Sequence, residues 1–357
     1  ASRIANFSPV ERAVVEAVPV QNSQVDVDFE VVEKRRWTLE AGGGWSTERG
    51  FGAAFGARDD NLFGRGIGLN LRGSLDSVEK KIFLLGSIPP APGGRLSFIT
   101  TLGFTTGDDP IQPESFNQDV KLASLEASYR LPRNVQVGVY YRWTETRTYE
   151  KIPDVDFPRE TDLQVGTVGT RAVVDRFDYL FDPRRGWGLT SDLGWSGAAI
   201  SSDLEYVSWL SGFSLALEPF HGATWMQAMR AGVAEALKGT NLDPEARFYA
   251  GGQASVRGFD LNSVGPNFFG IPAGGGALFV LNEELRIPVW NSLRLAVFAD
   301  IGQVWESWRE ADFNLSVGVG VGIRWSTPIG PLWADVAWPV ANVGISSKKP
   351  KFYLGIG

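Results

Sequence analysis

Along much of the chain, apolar and polar residues alternate with a period of two. Between 314 and 326, Leu315, Val317, Val319, Val321, Ile323 and Trp325 share one face. Asn314, Ser316, Gly318, Gly320, Gly322, Arg324 and Ser326 share the other. The same rhythm sets Val135, Val137, Val139, Tyr141 and Trp143 against Gln136, Gly138, Tyr140 and Arg142, and it recurs over 95–104 and 207–217. Such a period is that of a β-strand with two unlike faces. It predicts strands at 36–46, 49–59, 66–76, 79–88, 94–106, 119–131, 134–148, 162–175, 186–197, 204–217, 223–237, 275–289, 293–305, 313–327, 331–340 and 351–357.

That is about sixteen strands, an even number within the range of outer-membrane barrels. The polar faces carry Gly, Ser, Thr and Arg, whereas the outside of a soluble sandwich is more uniformly charged. Apolar faces end in Trp37, Trp45, Trp143, Trp187, Trp195, Trp325 and Trp338, as in the aromatic girdles at membrane–water interfaces. The reading is an all-β chain: a transmembrane antiparallel β-barrel over 36–357. Short links such as Ser46–Gly50 and Leu131–Asn134 contrast with long ones at 107–118, 149–161 and 238–274. This contrast fits periplasmic turns at one end and extracellular loops at the other.

Composition narrows the chemistry. The 357 residues include 42 Gly, no Cys and one His, with a formal charge of −7. Without Cys there are no disulfides, thiolate zinc sites or Cys nucleophiles. A single His, His221 between Phe220 and Gly222, removes most catalytic and metal-binding constellations. No catalytic, metal or cofactor site is expected. Asp59-Asp60 and Asp108-Asp109 suit calcium or solvated turns equally well. An acidic chain without a basic run is not expected to bind nucleic acid. No stretch reaches the ~18–20 apolar residues of a membrane-spanning helix. Gly318-Val319-Gly320-Val321-Gly322 lies inside a strand with no helix after it, so it is not a dinucleotide loop.

Residues 1–35 differ from the rest. Val25, Val27, Phe29 and Val31 alternate with Asp26, Asp28 and Glu30, so the second face is acidic and unsuited to lipid. This segment is expected to be the remnant of a soluble periplasmic domain whose earlier part is absent, joined to the barrel through Glu33-Lys34-Arg35-Arg36.

The segment from Ala246 to Pro266 contains Val256-Arg257-Gly258-Phe259, flanked by Phe248-Tyr249-Ala250-Gly251-Gly252 and Gly265-Pro266. It resembles the tetrad loop of the outer-membrane assembly and translocation superfamily, which includes BamA, TamA and the two-partner-secretion transporters. Four more segments are similar to that family, in the expected order: Arg58–Gly66, Asp182–Gly186, Phe298–Trp305 and Gly322–Leu332. The resemblance covers about 24–357. It departs at the end, where Phe352-Tyr353-Leu354-Gly355-Ile356-Gly357 lacks the usual terminal aromatic, as a trimmed chain would.

The resemblance implies a POTRA-like α+β periplasmic domain ahead of a barrel with a lumenal loop, here 238–274. It also implies that the loop folds inward and that Arg257 pairs with acids on the inner wall. Strand parity allows this. Asp300 shares a face with Arg294, Ala296 and Gly302, and Glu284 with Asn282 and Arg286, each opposite an apolar face. A guanidinium between two carboxylates can form charge-assisted bidentate bonds, and Gly258 permits a turn closed to other residues.

The implied mechanism uses a weak lateral seam between first and last strands, here Gly42, Gly43 and Gly44 against Phe352, Leu354 and Ile356. Consecutive glycines weaken strand pairing, and an opened edge could template an incoming strand. The implied function is non-enzymatic insertion or translocation of polypeptides in the bacterial-type outer membrane, with the N-terminal part in the periplasm and no nucleotide needed. The implied partners are unfolded outer-membrane or secreted polypeptides and the lipid bilayer. Periplasmic lipoproteins or an inner-membrane partner could be reached through missing POTRA domains. The alternatives are a two-partner-secretion transporter and, from another class, a passive porin.

Overall fold

A computed structural model describes residues 10–20, 24–33, 36–91, 94–109, 116–151, 160–179, 182–220, 222–239, 242–290, 292–327 and 330–356, with the backbone alone for 10–33. His221 and Gly357 lie outside the described residues. The strands are β1 Val10–Val20, β2 Gln24–Glu33, β3 Trp37–Ser46, β4 Gly50–Leu62, β5 Ile67–Leu75, β6 Glu79–Ile88, β7 Leu96–Asp108, β8 Phe116–Leu131, β9 Val135–Glu150, β10 Glu160–Asp175, β11 Gly186–Ser196, β12 Tyr206–Leu217, β13 Thr224–Ala236, β14 Asn267–Phe268, β15 Ile271–Pro272, β16 Ala277–Trp290, β17 Leu293–Trp305, β18 Ser316–Thr327, β19 Gly330–Ala341 and β20 Lys351–Ile356.

Sixteen of these, β3–β13 and β16–β20, form one closed antiparallel barrel in which β20 returns to pair with β3. Closure gives every barrel strand a neighbour on both sides, as a bilayer demands, although β3 meets β20 only from Gly43 to Ser46. Every strand expected from the alternation is present. The largest end shifts, three residues each, are at β8, which begins at Phe116 rather than 119, at β4, which runs to Leu62 rather than 59, and at β18, which begins at Ser316 rather than 313. At β8 and β4 the strand runs on through polar residues that break the alternation, Asn117 and Gln118 in one and Asp60 and Asn61 in the other, because backbone pairing does not require an apolar side chain.

The two faces separate as the parity requires. Val137, Val139, Leu102, Val321, Ile323, Trp325, Val340 and Leu354 point outward and are exposed, whereas Ala296, Asp300, Ala337 and Tyr353 point inward and are buried. The large apolar side chains therefore form the lipid surface, and the packed interior lies in the lumen. Trp225 stands on the outer face and donates its indole N–H to Glu283 at 2.6 Å.

Two expectations need correction. The contrast of short and long links fails beside the seam. The turns Thr47–Arg49 and Asp76–Val78 are short but lie at the same barrel end as the long loops, since each follows a strand running in that direction. Asp59 is not a solvated turn residue. It is buried, and its carboxylate accepts from Arg36 Nε at 3.0 Å and from the Asn61 N–H at 3.0 Å. Asp108 pairs with Lys151, and no cluster suited to a metal occurs among the described residues. β1 and β2 pair as a separate two-stranded antiparallel sheet, Val20 opposite Gln24 and Val10 opposite Glu33.

Candidate functional site

The link between β13 and β16 turns back into the lumen. Glycines make its path possible. Gly251, Gly252 and Gly258 all have positive φ, and at Gly258 (φ +93°) a Cβ would also lie 2.8 Å from the Trp338 carbonyl carbon. A side chain there would face both backbone strain and a wall strand.

The loop is held first by apolar packing. Val256 and Phe259 are fully buried with Ala250, Val264, Leu278, Val280 and Val304, and Phe248 packs alongside. Burying two side chains of this size contributes on the order of 1.5–3 kcal/mol each. Polar contacts then fix its register. Asn282 donates to the Ser255 carbonyl at 2.6 Å and Arg230 to that of Ala254 at 2.6 Å.

Arg257 sits at the centre of an ionic lattice. Its Nε and Nη2 fork onto the two Asp300 oxygens at 2.7 and 3.0 Å, and its backbone N–H reaches Asp300 Oδ2 at 3.0 Å. Its Nη1 bonds Glu284 at 3.0 Å and Asp335 at 3.2 Å. Arg324 bridges the same two acids, with 2.8 Å to Glu284 Oε2 and 3.1 Å to Asp335 Oδ2, and Arg286 bonds Glu284 at 2.8 Å. Three arginines therefore face three carboxylates. The Arg257 guanidinium also lies over the Phe298 ring, 3.5 Å from its centroid, a placement that adds cation–π attraction.

The glycines of β18 leave space for this lattice. A Cβ on Gly318 would strike the Arg257 carbonyl oxygen, one on Gly320 the Phe298 ring, and one on Gly322 the Asp335 carboxylate. The inner face of β18 is thus a groove shaped to the loop.

Beyond the tetrad the loop grips the far end of the barrel. Asp260 pairs with Lys351 of β20 and accepts from the Ser347 N–H at 2.6 Å, while its own N–H reaches Ser346 Oγ at 2.8 Å. Burial acts to raise the Asp260 carboxyl, but Lys351 and these donors hold it below the usual carboxylate range. The Gly258 N–H donates to the Tyr353 hydroxyl at 3.1 Å, and that hydroxyl reaches Glu48 Oε1 at 3.1 Å. Burial pushes the Glu48 carboxyl up, against the opposing pull of Tyr353 and Lys351.

The seam between β3 and β20 is short. Pairing runs from Tyr353 opposite Ser46 to Ile356 opposite Gly43. Thr47 adds a backbone bond to Phe352 at 3.0 Å and accepts the Phe352 N–H on its hydroxyl at 2.9 Å. By contrast, β8 and β9 pair from Leu131–Val135 to Phe116–Glu150. At the seam Gly44 faces Gly355, and a Cβ on Gly44 would lie 2.5 Å from the Leu354 carbonyl oxygen. Gly42 has no β20 partner among the described residues, while Phe352 and Leu354 face outward and are exposed.

Arg257, Asp300 and Glu284 thus meet in the lumen. Sequence reasoning missed Asp335 and Arg324, Tyr353 and Glu48, and the Asp260–Lys351 pair. Parity would have found Asp335: it shares the inner face of β19 with Trp333 and Ala337, opposite Ala334 and Val336. Glu48 lies in a turn, where alternation carries no signal.

The fold and site define a class: a sixteen-stranded membrane barrel whose lumen holds an inward-folded loop locked by one arginine. The chain belongs to the Omp85 superfamily, whose domain matches residues 61–357. It is 24% identical to the outer membrane protein assembly factor BamA of Neisseria meningitidis over 94% of this chain and 48% of that protein. The chain thus spans about half that relative's length. The fold is that of BamA from Haemophilus ducreyi lacking POTRA domains 1–3, with TM-score 0.79, 19% identity, and coverage of 99% of this chain and 77% of that one. CdiB from Acinetobacter baumannii shares it at TM-score 0.67, 15% identity, and coverage of 97% and 65%. The protein is an outer-membrane β-barrel.

Proposed function

We propose that this barrel inserts β-barrel polypeptides into the outer membrane, and that it does so by opening laterally between β3 and β20. The observation that carries this reading is the contrast between the two sides of the lumen. The β16–β20 wall is tied to the loop by apolar burial and six ionised groups. The β3–β20 ladder has few backbone bonds and an interior of Gly43, Gly44 and Gly355. Strain applied to the barrel is released where the fewest bonds hold. An opened β3 or β20 presents unpaired N–H and C=O groups in lipid, where only another strand can satisfy them. The chemistry is exchange of backbone hydrogen bonds, so no catalytic residue, cofactor or nucleotide enters.

In this reading Arg257, with Asp300 and Glu284, holds the loop as a fixed plug that stiffens one wall while the other yields. The substrates are unfolded outer-membrane polypeptides. Residues 1–35 are read as the end of a POTRA-like periplasmic domain, through which lipoproteins or an inner-membrane partner could dock.

One observation favours a second reading, polypeptide export through the lumen. A cavity of about 730 Å³ lies between the loop and the β3–β6 wall, lined in part by Glu40, Gly52, Arg72, Gln253 and Trp333. A passive porin fits less well, because the loop occupies the lumen. The test is reconstitution in liposomes, with folding of an added unfolded barrel protein followed alongside single-channel conductance. Accelerated folding with small, erratic conductance supports insertion. Large, steady conductance without acceleration overturns it in favour of a porin.

A further inference from the structure

We infer that Tyr353 and Glu48 form a latch through which the lumenal loop controls the seam. The inference deepens the proposed lateral opening and rests on it. The Tyr353 hydroxyl lies where three parts of the molecule meet. It accepts the Gly258 N–H from the tetrad at 3.1 Å, its own strand is β20, and it donates to Glu48 in the turn joining β3 to β4 at 3.1 Å. Loop, last strand and first hairpin are therefore joined through one oxygen.

The surroundings suit a latch. Tyr353 is 1% exposed and packs with Phe298, Ala337 and Trp333, so its ring stays fixed when the hydroxyl loses a partner. Phe298 is also the ring beneath the Arg257 guanidinium. On the other side, Glu48 Oε2 is buried and lacks a well-formed hydrogen bond, with only the Gln253 backbone of the loop acting on the carboxyl there, and the loop presses against it: a Cβ on Gly252 would lie 2.9 Å from that oxygen. Glu48 is thus held in a costly position by the loop above it and the tyrosine beside it. A half-satisfied buried carboxylate favours leaving once its remaining partner is withdrawn.

The direction of control follows. When the loop is seated, Gly258 orients the tyrosine hydroxyl toward Glu48 and the first hairpin is held against β20. When the loop shifts, the hydroxyl loses its donor and is free to rotate, and Glu48 regains water by moving outward with β3. The other side-chain bridge across the seam, Thr47 to Phe352, touches no loop residue. The loop's other grip on β20, Asp260 with Lys351, makes no hydrogen bond to the first hairpin among the described residues and acts on Glu48 only through charge.

The test uses the whole chain in liposomes, with spin labels on cysteines placed in the β3–β4 turn and the β19–β20 loop, since the chain has no cysteine of its own. The open fraction of the seam is read from the distance distribution. Tyr353→Phe keeps the ring and removes the hydroxyl, and it is expected to raise the open-to-closed ratio roughly tenfold. Glu48→Ala is expected to do the same, and Glu48→Gln, which keeps an acceptor, to stay near the parent. Arg257→Ala is expected to open the seam in the parent but to add little in the Tyr353→Phe background.

If the parent seam opens and neither Tyr353→Phe nor Glu48→Ala changes its open fraction, the latch is overturned while lateral opening stands. Fully additive effects of Arg257→Ala and Tyr353→Phe overturn it too, because control would then bypass the tyrosine. A seam that stays closed in parent and variants while substrate folding proceeds overturns lateral opening itself, and the latch with it.

Discussion

Removing the Arg257 side chain is the sharpest perturbation of the lumenal lattice. Arg257 is 12% exposed and Asp300 is fully buried, so the pair lies in a region where water cannot take over. In Arg257→Ala the three acids fare differently. Glu284 keeps Arg324 and Arg286, and Asp335 keeps Arg324. Asp300 keeps one hydrogen bond of this set, from the backbone N–H of residue 257, and Arg230 acts on it through charge alone. The cost is therefore that of one uncompensated buried carboxylate, about 3–5 kcal/mol. This moves the loop-in to loop-out equilibrium by roughly two to four decades. Heat-dependent mobility of the folded barrel in detergent gives the stability, and liposome folding of a substrate barrel gives the activity. Both are expected to fall together. The double variant Arg257→Ala with Asp300→Asn removes the orphaned charge and is expected to recover much of the stability, whereas a general packing defect would not be relieved. An Arg257→Ala protein with unchanged unfolding temperature and unchanged activity would refute the reasoning.

Three further outcomes are expected. Cysteines at Trp45 and Leu354, which face each other across the seam, should abolish substrate folding when oxidised and restore it on reduction; full activity of the oxidised form counts against lateral opening. Gly318→Val should expel the loop, because its Cβ meets the Arg257 carbonyl, and this is read as new protease cleavage within 242–274; an unchanged digest contradicts the fitted groove. The Asp260 carboxyl lies below its ordinary 3.8 in the folded state. Its stabilising contribution is therefore complete above that value and lost as pH falls through the depressed one, so heat stability should drop more steeply below about pH 4 in the parent than in Asp260→Asn.

The barrel was legible because lipid imposes a simple code: one face of each strand must be apolar, and the other need only avoid it. Alternation located β9, β17 and β18 directly, and parity alone turned Asp300 and Glu284 inward. What alternation cannot express is which inward groups meet. Arg324 and Asp335 lie on neighbouring strands, opposite Trp333 and Gly322 respectively, yet the bridge that Arg324 makes between Asp335 and Glu284 depends on barrel curvature and on the space left by Gly322. Glu48 was invisible for a different reason. A turn glutamate usually means solvent, and only the path of a loop about two hundred residues later buries it.

The Tyr353–Glu48 bond joins residues 305 apart in sequence, whereas the loop and the wall that grips it lie close together along the chain. Contacts between nearby segments form early, and those between distant ones wait for the largest loss of chain entropy. The plug and its wall can thus assemble as one piece, leaving the meeting of the barrel's two ends, β3 and β20, until last. Parting those ends again would undo only the final step of the protein's own folding, so the molecule can repeat the act without dismantling anything made before it.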